Sequence, residues 1–297
     1  MSRIMRPVID CTESPDLLAG WPVEAQVKKS ATAQAILADL DADWMIEEAD
    51  LDGKPYEIDA DNRLILLDTR GLTKAAIARS DYFRNMLAMQ TFAGLRAAWQ
   101  AERAFEARNM HRPDLWLFIG RLAEADIATL SARMAFEAKL EGDETIWRHA
   151  MGDENGDIAL MYLHELERRP FIENDTAALA LAFAEWFRKP NRVTATDSET
   201  LSMMDDMIDN LTMNGRGRMG EGAIRCLTID PLTGSSYLGV SVAEFAGDPV
   251  WRGIADPVVE AHFLQVMDDI GTIRMGAIGI RDKKLAARLF PEALVKA

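Results

Sequence analysis

The chain has 297 residues, 48% apolar and 27% charged, enough to bury a sizeable core in one large domain or two smaller ones. Its 33 Lys and Arg against 48 Asp and Glu give a formal charge of −15, which argues against a general nucleic-acid binder and against docking on anionic lipid. Two cysteines, Cys11 and Cys226, and four histidines supply neither a disulfide framework nor a cysteine metal cluster, and the expected compartment is a reducing cytoplasm.

Residues 1–28 read as an irregular segment punctuated by Pro7, Pro15, Gly20 and Pro22. The first twenty residues carry Asp10, Glu13 and Asp16 and no apolar run, so no signal peptide is expected. Ser30 is placed to cap a short helix over 31–40, with Ala33, Ile36, Leu37 and Leu40 at helical spacing. Three short runs follow, Trp44–Ile46, Tyr56–Ile58 and Leu64–Leu67, separated by Asp52-Gly53 and Asp61-Asn62. Asp-Gly between short runs is a hairpin signal, and two or three strands are expected.

Helices dominate from Leu72 onward. Asp81 is placed to cap a long one reaching about 108, and Pro113 opens a second that ends at Leu140 before Gly142. Shorter helices are expected at about 144–151, 156–168, 174–188 and 197–213, with Pro170 and Pro190 as terminators. The most apolar stretch, Ala177–Phe187, contains Glu185 and is too short to span a membrane. Composition shifts at Asn214, where Gly215, Gly217, Gly220 and Gly222 alternate with Arg216 and Arg218. Strand-like runs over 223–229 and 237–242 and helices near 256–270 and 281–296 complete the chain. The expected organisation is therefore 1–28, a helical domain over 29–213, and a smaller α/β part over 214–297.

Two stretches on the long helices carry a likeness. The first is Ala93-Gly94-Leu95-Arg96-Ala97-Ala98-Trp99-Gln100; the second is Arg121-Leu122-Ala123-Glu124-Ala125-Asp126. Together, behind a small β region, they resemble an uncharacterised bacterial family of zinc metallopeptidase-like proteins. That family carries a His-Glu-x-Arg-His-x-Trp-Gln helix and, downstream, an Arg-x-x-Glu-Ala-Asp helix. Such a pattern serves zinc hydrolysis for a physical reason. Two histidines at i and i+4 share one helix face, and the glutamate beside the first takes a proton from metal-bound water. A carboxylate from a later helix completes the ligand set and leaves one position open.

The resemblance puts Ala93, Gly94 and Ala97 at the first-ligand, base and second-ligand positions. Neither ligands nor base are present there, while Arg96, Trp99 and Gln100 keep the cleft frame and Glu124 and Asp126 keep the carboxylate positions. The implied fold is α+β and mainly α, a zincin-like core in which a small sheet packs on the long former active-site helix, with a second long helix. The implied function is a catalytically inactive metallopeptidase-like protein that binds a protein or peptide partner. No cofactor is expected, and neither nucleic acid nor membrane as partner. The alternative is a metal-dependent hydrolase or peptidase with relocated ligands, holding zinc or a harder cation through Glu124 and Asp126. A plainer account also fits the same residues. Trp99 is then a core aromatic, Arg96 a solvated or paired group, and Arg121 an i,i+3 partner of Glu124.

The remaining motifs read as structural. His164 begins a zinc-like string, but Arg168 stands at i+4, which favours surface pairing of Glu165 and Glu167. Glu102 and Glu106 share a helix face and, with His111, could serve a hard cation, although charged helix faces are usually just solvated. Gly215-x-Gly217-x-x-Gly220 has dinucleotide-binding spacing in the reversed order, helix before and strand after, so it reads as a flexible connector, with an anion-binding nest of backbone N–H groups, Arg216 and Arg218 as the alternative. Asp205, Asp206 and Asp209 read as a solubilising face. The 16 methionines, Met86, Met89, Met203, Met204 and Met207 among them, read as core filling.

Overall fold

The computed structural model describes residues 17–104, 112–168, 175–209, 227–239 and 249–273. The architecture is α+β and mainly α: eleven helices among the described residues and one three-stranded sheet. The helices are α1 (Glu24–Val27), α2 (Ala31–Asp39), α3 (Lys74–Arg79), α4 (Asp81–Ala104), α5 (Pro113–Leu140), α6 (Glu144–Gly152), α7 (Gly156–Arg168), α8 (Thr176–Trp186), α9 (Pro190–Asp209), α10 (Pro249–Arg252) and α11 (Pro257–Ile273). The strands are β1 (Met45–Ala49), β2 (Tyr56–Asp59) and β3 (Leu64–Asp68). Among the described residues, no helix is long and apolar enough to cross a membrane.

The chain divides into two compact units. One holds Met1–Glu102 with Leu130–Asp153, and the other Arg103–Thr129 with Glu154–Ala297, so α5 contributes to both. The boundary expected at 214, the glycine–arginine stretch and the tail over 281–296 lie outside the described residues, as do Cys11, Cys226, Glu106 and His111.

In the first unit, Ser30 caps α2 by accepting from the Ala33 N–H, as its position before the apolar run requires. The sheet order is β1-β3-β2, with β1 parallel and β2 antiparallel to β3. Asp52 and Gly53 do turn the chain through positive φ, at 52° and 89°. They do not close a hairpin, however. β1 pairs with β3, so the only hairpin in this sheet is β2–β3, across Asp61-Asn62. There Asp59 accepts from the Asn62 backbone and side-chain N–H groups, a local bond that stands in for turn geometry.

Ile65 and Leu67, both fully buried, stand on the sheet face turned toward α4 and join Trp44, Leu87, Phe92, Leu95 and Trp99 in the core. Glu137 on α5 serves the N-terminus of α2. It accepts from the Ser30 hydroxyl at 2.6 Å and from the Thr32 N–H and hydroxyl at 2.9 and 2.7 Å, and also from Arg133 Nε. A carboxylate at the start of a helix satisfies orphan donors and complements the helix dipole.

In the second unit, Trp116 and Leu117 of α5 pack with Leu201, Met204 and Ile208 of α9 and with Val259, Val266 and Ile270 of α11. The contact between α5 and α9 is close because Gly120 has no side chain. A β-carbon there would lie 2.8 Å from Thr200 Oγ1. Pro190, expected to end a helix, instead begins α9. Proline suits a first helical position because its missing N–H would find no intrahelical acceptor there. Phe183, Phe187 and Trp251 form an aromatic cluster, with ring centroids 4.4 Å apart for Phe187 and Trp251 and 6.1 Å for Phe183 and Tyr237.

Candidate functional site

The first candidate piece is the middle of α4. Ala93 is half-buried, Gly94 is buried and Ala97 is 9% exposed. Ala93 and Ala97, at i and i+4, share a helix face, as the resemblance requires of ligand positions. Gly94 sits against the sheet. A β-carbon on it would lie 2.6 Å from Ile65 Cγ2, closer than real carbons pack, and in a tight 3.3 Å contact with Leu67 Cδ2. Glycine costs roughly 0.5–1 kcal/mol relative to alanine inside a helix. Here its absent side chain is what lets β3 approach. A zinc ion does not fit these three positions, because a hydrogen and two methyl groups offer no donor atom.

Arg96, Trp99 and Gln100 are all buried, Arg96 to 0% exposure. The Arg96 guanidinium carbon lies 4.1 Å from the Trp99 ring centroid, a cation–π stack. The Trp99 indole N–H donates to Asp39 Oδ2 at 2.9 Å, at the end of α2. Trp99 is thus a core aromatic with a satisfied polar edge. Arg96, which surface reasoning would put in solvent, is interior. One turn on, Glu102 accepts from the Trp44 indole and the Asp41 N–H. Its carboxylate therefore anchors the approach to β1.

The second candidate piece is the Arg121–Asp126 turn of α5. Arg121 is buried and does not serve as a surface partner of Glu124. Its Nε and Nη2 donate to the two oxygens of Asp197 on α9, both at 2.6 Å, and Nη1 donates to the Trp251 and Gly253 carbonyls. Burial pushes the Asp197 carboxyl above its ordinary value, outweighing the downward pull of the guanidinium. Asp126 is 0% exposed and accepts from the Tyr237 hydroxyl at 2.6 Å, while Glu124 is half-buried. Tyr237 is held in turn by a small β-bridge between Ile229 and Ser236, closed by the Asp230 turn. Among the described residues, no group of three or more His, Cys, Asp or Glu side chains is arranged to hold a metal ion.

Elsewhere, His164 is exposed and Arg168 pairs with Glu165 at 3.1 Å, but Glu165 is buried, so this is not the surface pair expected of that string. Asp206 and Asp209 face solvent, but Asp205 lies 2.6 Å from His262 Nε2 and joins α9 to α11. Of the methionines read as core filling, Met86 and Met204 are buried.

Asp197 and Tyr237 escape sequence reasoning. Their partners lie 76 and 111 residues away, so no local spacing marks them. The one available signal is an acidic residue on the apolar side of an otherwise amphipathic helix, which needs a buried cation.

No curated protein and no solved structure matches the chain at a significant level. A family match does exist, and it spans α4, α5 and the helices through α9. Over residues 76–228, just over half its length, the chain matches the family described as "Putative metallopeptidase family (DUF6782)", and it belongs to that family.

Proposed function

We propose that this chain is a non-catalytic member of its metallopeptidase family, with a binding role toward a protein or peptide partner in the cytoplasm. The observation that carries the reading is the packing at Gly94. On the alignment of α4 with the His-Glu-x-Arg-His-x-Trp-Gln helix, this is the position of the general base, and β3 occupies the space a side chain would need. The ligand positions, Ala93 and Ala97, are equally without donors. The retained residues support the same reading, because Arg96 and Trp99 stack with each other inside the core and the Trp99 indole N–H is already bonded to Asp39, an exposed residue at the end of α2. In this view the sheet on α4 is a zincin-like core kept for its architecture.

The alternative, a hydrolase with relocated ligands at Glu124 and Asp126, draws less support. Asp126 is fully buried and already accepts a hydrogen bond from Tyr237. A metal ligand needs its oxygens turned to an open coordination position. The test is hydrolysis of a random-sequence quenched fluorescent peptide mixture with and without added zinc. The expected result is no zinc-dependent turnover. Zinc-dependent turnover that disappears in Glu124→Ala would overturn the proposal.

A further inference from the structure

Strand register divides the small sheet into two unlike faces. Ile46, Ile65 and Ile58 align across it on one side, with Glu48, Leu67 and Tyr56 in the next row; this is the face against Gly94 and α4. The opposite face carries Met45, Leu64 and Asp59 in one row and Glu47, Leu66 and Glu57 in the next. Met45 is 52% exposed, and Leu64 and Leu66 are part-exposed although they lie on the central strand. Glu47 and Glu57 flank Leu66 from both edges, are exposed, and make no ion pair among the described residues. The result is a short apolar stripe between carboxylates.

We infer that this outer sheet face is a docking surface for a short cationic peptide segment of a partner protein, one that alternates apolar and Lys or Arg residues. Two arguments choose this occupant. The first is charge: a stripe of Met45, Leu64 and Leu66 between Glu47, Glu57 and Asp59 complements apolar side chains flanked by cations. The second is size. Three strands and five residues give a footprint of about 14 Å by 16 Å. That is well below the roughly 800 Å² per partner of a standard protein interface. A second copy would also bring the same carboxylates face to face, and anionic lipid would be repelled. The surface is separate from the Ala93–Ala97 face, and its occupancy does not depend on the chemistry of α4.

The test is fluorescence anisotropy with a labelled heptapeptide of alternating lysine and leucine, added to the full chain. Saturable binding is expected, and it should weaken by at least about tenfold in Glu47→Lys/Glu57→Lys. It should weaken again in Met45→Ser, and it should hold in Glu141→Lys/Glu167→Lys, which reverses two exposed charges elsewhere. All five substituted sites are exposed, so circular dichroism should match the wild type. Failure to bind would overturn the inference. So would equal loss in both charge reversals, which would mean attraction to net charge alone. A concentration-dependent dimer in sedimentation equilibrium that is altered by the Glu47→Lys/Glu57→Lys variant would assign the face to self-association instead.

Discussion

Replacing Gly94 with glutamate, the residue that the resemblance to a His-Glu-x-Arg-His-x-Trp-Gln helix would put there, should unfold the protein or cost more than about 4 kcal/mol of stability. Two costs add. The β-carbon alone would sit 2.6 Å from Ile65 Cγ2, which forces the helix and sheet apart. Overpacking of this kind typically costs about 1–3 kcal/mol. A carboxylate buried against Ile65 and Leu67 with no cation adds several kcal/mol more, or takes up a proton. Gly94→Ala separates the two effects. It keeps the clash and drops the charge, and it gains roughly 0.5–1 kcal/mol from helix propensity, so it should be only mildly destabilised. Ala93→His and Ala97→His project from the less buried face and should both fold. Urea denaturation of the four variants gives the ranking. A Gly94→Glu protein as stable as wild type would show that the sheet yields and that a carboxylate fits at this position.

The second large effect belongs to Arg121. Arg121→Met should cost about 3–5 kcal/mol, because it leaves the Asp197 carboxylate buried without its cation. It also strips the Trp251 and Gly253 carbonyls of their donor. The double variant Arg121→Met/Asp197→Leu should recover most of that loss, since burial already works against the Asp197 charge and an apolar pair removes the penalty. If the double variant is no more stable than the single one, the loss lies in the carbonyl bonds to 251–253 and not in the ion pair. Arg121 is thus a positioning residue for α9 and the segment before α11, and its retention in the family-like string is explained by packing.

Helix positions were largely legible because elements such as α2 and α5 announce themselves through local chemistry. Ser30 precedes an apolar run, Pro113 opens a helix and Gly142 follows its end at φ 87°. The three strands were legible for the same reason. Their order was not. The Asp52-Gly53 turn looks the same whether it joins paired strands or lets β3 come between them, and the choice is made by Ile65 and Leu67 meeting Gly94 across the core. The candidate site divides in the same way. That Ala93 and Ala97 offer no donor atom to a metal is visible in the letters alone. That Arg96 is interior, that Arg121 pairs with Asp197 and that Asp126 meets Tyr237 depends on contacts far apart in the chain, which local patterns do not encode.

The proposed non-catalytic role requires that α4 hold no metal, and metal content tests that role most directly. Elemental mass spectrometry on protein purified without a polyhistidine tag or chelator should find less than about 0.1 zinc, manganese or other transition metal per chain. Close to one metal per chain, reduced by Glu124→Ala or by Asp126→Ala, would contradict the account and show that the ligands have moved to α5.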